Sequence, residues 1–181
     1  MKSRAWIVFG LLVPGAGLAE EPVVGAPPPA ASVPRLEFAF EERVTIAPAV
    51  VMGDTALGRR QYIGITGGTV GGPKLQGRVV PGGFDFQLTY KGSDCTQLSA
   101  DYFIEAEDGT PIHVFNEGLS CPNAERPIFR PRLEAPKGAH EWMTRTTFVA
   151  TLDIEPPVRP AGNPEAPPTV EAVRIRFYQL K

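Results

Sequence analysis

Residues Gly58 to Gln87 read GRRQYIGITGGTVGGPKLQGRVVPGGFDFQ, and the parsing of this stretch decides the fold. Glycines at 64, 67, 68, 71, 72, 77, 82 and 83 interrupt short runs such as Tyr62 to Thr66 and Leu75 to Val80. Glycine weakens a helix but serves tight turns and bulges, so the stretch predicts two or three strands in a sharply bent sheet.

Downstream, Phe84, Phe86 and Leu88 alternate with Asp85, Gln87 and Thr89, and Lys91 to Asp94 reads as a turn. Gln97 to Glu105 and Pro111 to Glu117 flank Asp108-Gly109, a strong hairpin signal. Ser120 to Gly138 carries prolines at 122, 127, 131 and 136 and predicts irregular chain, with Ile128 to Leu133 as an edge strand. Glu141 to Ile154 and Val170 to Leu180 read as the closing strands, joined by a proline-rich surface loop, Glu155 to Pro168.

Upstream, Gly53 to Arg60 predicts a loop or one helical turn, since Asp54 can cap and Gly58 stops continuation. In Leu36, Phe38, Phe40, Val44 and Ile46 the apolar residues keep period two on one face, broken only by Glu42. Glu20 to Pro34 is a proline- and alanine-rich linker with no apolar period. Met1 to Ala19 has the form of a signal peptide: Lys2 and Arg4, then the apolar run Ala5 to Val13, then Gly17 and Ala19 at a cleavage point. Export to the periplasm or beyond is expected, with no stable membrane span after cleavage.

The organisation expected is therefore 1–19 signal peptide, 20–34 linker and 35–181 one domain. A chain of 181 residues has room for a single core. Its 20 prolines and 19 glycines favour turns over long helices. A net charge of -2 with scattered Lys and Arg argues against nucleic acid or anionic membrane as partner. The count is eight or nine antiparallel strands in an all-β chain. Such a sheet must curl or pair, so a closed barrel is the first expectation and a sandwich the second. An eight-stranded barrel is wide enough to be filled by side chains or to hold one small ligand. Exposed edges in an open barrel would favour a homodimer, whereas the prolines near Ile128 to Pro136 could protect one edge.

Spaced motifs carry a family resemblance. Gly53-Asp54-Thr55, Gly58-Arg59-Arg60, Ile65-Thr66-Gly67-Gly68, Gly72-Pro73-x-Leu75-x-Gly77 and Pro81-Gly82-Gly83-Phe84-Asp85-Phe86-Gln87 follow one another in order. Ala100-x-Tyr102, Asp108-Gly109 and Ile112-x-Val114-x-Asn116-x-Gly118 come after them. Together they resemble the DUF3237 family, also called UPF0311, over most of Pro34 to Lys181. The resemblance implies a β-barrel without a settled biochemical activity. The chain departs from that pattern in its export signal and in Asp94-Cys95, which stands where an Asp-Gly turn is expected.

Cys95 lies just past the turn that opens one strand, and Cys121 just past the end of the next, so antiparallel pairing brings both to one end of the sheet. A disulfide suits an exported chain and would stabilise it by roughly 3 kcal/mol; the alternative is a reactive thiol.

Candidate site residues follow from the same strands. Asp85 and Gln87 could point into the barrel as an acceptor and an amide, or Phe84, Phe86 and Leu88 could fill it and leave them in water. Arg60 could pair with Asp85 or hold an anionic ligand, or simply be solvated beside Arg59. Tyr102, Asn116 and Trp142 could line the same cavity with a hydroxyl, an amide and a stacking surface, or serve as core and rim residues. His113 and His140 lie in no nucleophile setting, and no cluster has metal-ligand spacing. The Gly67-Gly68 and Gly71-Gly72 pairs precede no helix, which argues against a phosphate loop.

Two functions are compatible with these residues. One is a barrel that binds a small, partly apolar molecule, with Arg60, Asp85 and Tyr102 giving polarity. The other is a cofactor-free isomerase or cyclase in which Asp85 is a general base and Arg60 or Tyr102 stabilises developing charge. No cofactor and no metal are expected in either case.

Overall fold

Alternating apolar and polar residues form nine strands among the described residues of the computed structural model, which are 33–159 and 165–181 together with 25, 27, 29, 30 and 161. The expected signal peptide, Met1 to Ala19, lies outside the described residues. The strands are β1 (Leu36–Ile46), β2 (Val50–Asp54), β3 (Gly58–Gly71), β4 (Gly77–Tyr90), β5 (Thr96–Ala106), β6 (Pro111–Ser120), β7 (Ile128–Glu134), β8 (Phe148–Ile154) and β9 (Ala172–Leu180). All are antiparallel in the order β1-β9-β8-β7-β6-β5-β4-β3-β2. Pairing of β1 with β3 closes eight of them into a barrel, and β2 is an extra strand on β3 beyond that contact. Among the described residues no helix is long and apolar enough to cross a membrane.

Closure depends on glycine. Gly68 has φ +148, and a Cβ there would stand 2.1 Å from the Arg43 carbonyl oxygen of β1. Only a residue without a side chain lets the two strands meet at this point.

Bulges interrupt β1 and β4, and the one in β1 changes which residues face inward. In β1 the register shifts between Phe38 and Phe40, leaving Ala39 unpaired. The single apolar face expected over Leu36 to Ile46 is therefore split. Leu36 and Phe38 point outward, where Phe38 meets the Tyr178 ring at 5.8 Å, while Phe40, Glu42 and Val44 are buried. In β4, Pro81-Gly82-Gly83 oppose a single residue of β5, yet the strand continues through them.

Other local expectations are corrected. Gly53 to Arg60 makes no helical turn: the Thr55 and Gly58 backbones exchange hydrogen bonds of 2.8 and 3.2 Å and join β2 to β3. Glu141–Arg145 is a 3-10 helix, not strand, and it buries Met143. Strand β7 lies between β6 and β8 rather than at an edge, but it pairs with β8 only through Ile128 and Phe129. Pro131 lies past that short contact, where its missing N–H costs no ladder bond to β8.

The barrel is packed at one end. Phe40 stacks on Phe177 at 4.5 Å and meets the Phe148 edge at 6.4 Å, with Ile104, Ile112, Val114 and Met143 buried around them. A disulfide joins Cys95, just before β5, to Cys121, just after β6, at the other end.

Candidate functional site

That other end is hollow. A chamber of about 380 Å³ lies between the strands, within the roughly 300–1,000 Å³ of small-molecule sites. Its walls are mostly apolar, with Val44, Ile65, Leu98, Phe129 and Ile175 among them. Ile154, 65% exposed, stands at the mouth, and Thr96 and Ser120 place the disulfide beside it.

Polar groups enter through one cross-strand row. Ile63, Asp85, Ala100, Asn116 and Pro131 are successive partners on β3 to β7. Partners in a sheet share a face, so Asp85 and Asn116 look into the same space across the Ala100 methyl, roughly 9–10 Å apart by strand spacing. Phe84 and Phe86 accordingly face outward, where the Phe84 ring meets Tyr62 at 5.7 Å and Phe86 at 5.9 Å. Apolar alternation thus marks the outer surface of β4, because buried Val79, before the bulge, sets the inward parity that Asp85 and Gln87 continue.

Asp85 is held on both oxygens. The Gln87 amide donates to Oδ2 at 2.6 Å and the Ser99 backbone N–H to Oδ1 at 3.0 Å. Gln61 donates in turn to Gln87 Oε1 at 2.7 Å. Burial raises the Asp85 pKa above the usual carboxylate value, against the lowering effect of those two bonds.

Deeper in the barrel lies a pair that the sequence reading did not single out. The Tyr102 hydroxyl donates to Glu42 Oε2 at 2.6 Å, both residues being buried. Tyr102 lines the chamber, and Gly83 lies so close against it that a Cβ there would come within 2.4 Å of the Tyr102 Cβ. Burial pushes the Glu42 pKa up to about 8 despite the hydrogen bond from Tyr102. Burial, and then the neighbouring Glu42, raise the Tyr102 phenol well above its usual range. The signal for Glu42 was its break in the period of β1: a carboxyl at an inward position is a buried carboxyl.

Asn116 completes the site. It is fully buried on the chamber wall, and neither its Nδ2 nor its Oδ1 has a hydrogen-bond partner in the protein.

Asp85, Gln87, Tyr102 and Asn116 are thus brought together, whereas Arg60 and Trp142 are not. Arg60 precedes the inward Gln61, so it takes the outer face opposite Leu88. Trp142 belongs to the 3-10 helix near Gln179, at the far end of β9, with its ring 6.0 Å from Phe148. His113 and His140 bond Asp101 and Asp108 at 2.7 and 3.1 Å, away from the chamber.

Comparison with known proteins gives the following. The model of the family described as a protein of unknown function, DUF3237, matches residues 34–127. The UPF0311 protein of Clostridium acetobutylicum is 32% identical over 161 residues, covering 80% of this chain and 92% of that protein. A β-barrel-like protein of Acinetobacter baumannii has a solved structure that superposes with a TM-score of 0.66 at 25% identity, over 86% of this chain and 98% of the other. A hydroalkoxylation enzyme of Penicillium herquei is 27% identical over 119 residues, covering 65% of this chain and 74% of the enzyme.

Proposed function

The chain belongs to the DUF3237 family, and from that premise and the chamber's lining we propose that it holds a small, partly apolar molecule inside the barrel. The observation that carries the reading is a hollow of about 380 Å³ with apolar walls on which a few polar groups converge. Apolar walls supply affinity by removing ligand surface from water, and Asp85, Tyr102 and Asn116 orient what enters. Native mass spectrometry of the protein purified from its own source tests this. A retained small molecule, absent from an Ala100→Trp variant whose indole intrudes into the chamber, is the expected result. Identical spectra, with no added mass on either protein, would overturn the reading.

A second reading is favoured by the environment of Asp85. Its carboxyl is desolvated, held in place by two donors and faces the chamber, as a general base requires. In this reading the chain is a cofactor-free enzyme of isomerase or cyclase type, with Asp85 removing a proton and Tyr102 steadying the charge that develops. The similarity to a hydroalkoxylation enzyme adds weight. Replacing Asp85 by Asn should then abolish turnover of the retained molecule while the fold survives. Under binding alone the same change should alter affinity only modestly.

The Cys95–Cys121 bridge supports placing the protein in an oxidising compartment, the periplasm or outside the cell. Two titratable thiols in the unreduced protein would argue against it.

A further inference from the structure

The orphaned carboxamide of Asn116 says what kind of molecule the chamber takes. Its cross-strand partners are Ala100, with only a methyl, and Pro131, with no side-chain polar atom and no N–H. Neither neighbour can satisfy it. A buried amide without partners carries a desolvation cost that a bound group can relieve. Asp85 is in a different position, because Gln87 and Ser99 already donate to it.

Resting on the binding reading above, we infer that the ligand is uncharged, carries one group that both donates and accepts hydrogen bonds, such as a hydroxyl or carboxamide, and enters with that group first, toward Asn116. A carboxamide side chain offers donors on Nδ2 and an acceptor at Oδ1. A hydroxyl or amide head answers both. A carboxylate head could only accept from Nδ2 and would sit on a wall that has Asp85 and no Lys, Arg or His. An ammonium head could only donate to Oδ1 and would leave Nδ2 unpaired. The tail lies along Val44, Leu98, Phe129 and Ile175, where burial in an apolar wall favours it.

Four probes with the same chain length separate these cases: 1-octanol, octanamide, octanoate and octylammonium, each titrated into the full chain by calorimetry. In parallel, the Asn116 side-chain NH₂ resonances are followed by NMR. Octanol and octanamide should bind at least about tenfold more tightly than the two ions and should move the Asn116 resonances. Asn116→Leu should erase that preference; if the variant does not fold, the wild-type resonances decide alone. Binding of octanoate or octylammonium as tight as that of octanol, or octanol binding that leaves the Asn116 signals in place, would overturn the inference while the chamber reading stands. No binding of any probe, by wild type or by Ala100→Trp alike, would remove both.

Discussion

Glu42 is a carboxyl in an apolar barrel, and its consequence for stability can be given a sign. Its folded pKa is about 8 against an ordinary value of 4.5. Below the lower value folded and unfolded chains both hold the proton; between the two only the folded chain does. Stability therefore falls as pH rises through this window, by at most about 1.4 kcal/mol per pH unit. Glu42→Gln keeps an acceptor and a similar shape but has no proton to lose, so its urea midpoint should fall less between pH 5 and pH 8.5 than that of the wild type. Parallel pH profiles of the two proteins would contradict this. The residue was legible in part: an acidic side chain on the apolar face of β1 could be read directly, but its pairing with Tyr102, sixty positions away in the chain, could not.

At the scale of the element, the glycines of β3 and β4 do different jobs, and substitution separates them. Gly68 has both a positive φ and a backbone oxygen where a side chain would go; Gly82 has φ +111 but open space around it. Gly82→Ala should cost only the backbone strain, about 1–2 kcal/mol. Gly68→Ala should cost clearly more, since β1 must move away from β3 and the barrel opens at its closing seam. Chemical denaturation of the two variants, side by side, checks the order; equal costs would mean that the seam is not rigid. Outside, an acidic and basic ladder ties neighbouring strands: Arg174 and Arg176 both pair with Glu41, Arg43 with Glu155, and Arg176 with Asp153. These groups are partly solvated, so the ladder aligns β1, β8 and β9 more than it stabilises them.

For the molecule as a whole, the Cys95–Cys121 bridge spans 26 positions and clasps β5 and β6 at the mouth of the chamber. Replacing both cysteines by serine should lower stability by roughly 3 kcal/mol in the chain-entropy account and should lower the thermal midpoint correspondingly. An unchanged midpoint would mean that the hairpin between β5 and β6 alone already restricts the unfolded chain as much as the bridge does. The sequence by itself determined the all-β class, the hairpin at Asp108-Gly109 and the meeting of the two cysteines, because alternation, turn residues and antiparallel order act over a few neighbours. It favoured a barrel over a sandwich, since so many bent strands with an apolar face must curl or pair, and the pairing of β1 with β3 closed it. Tertiary structure alone decided the lining of the chamber. Period two tells which residues share a face but not which face is inside. The bulge at Ala39 set that choice for Glu42, the inward parity of Val79, kept across Pro81 to Gly83, set it for Asp85, and the closure of β1 on β3 with the pairing of Arg60 and Leu88 left Arg60 outside. Those features depend on strands far apart in the chain, so no local pattern could fix them.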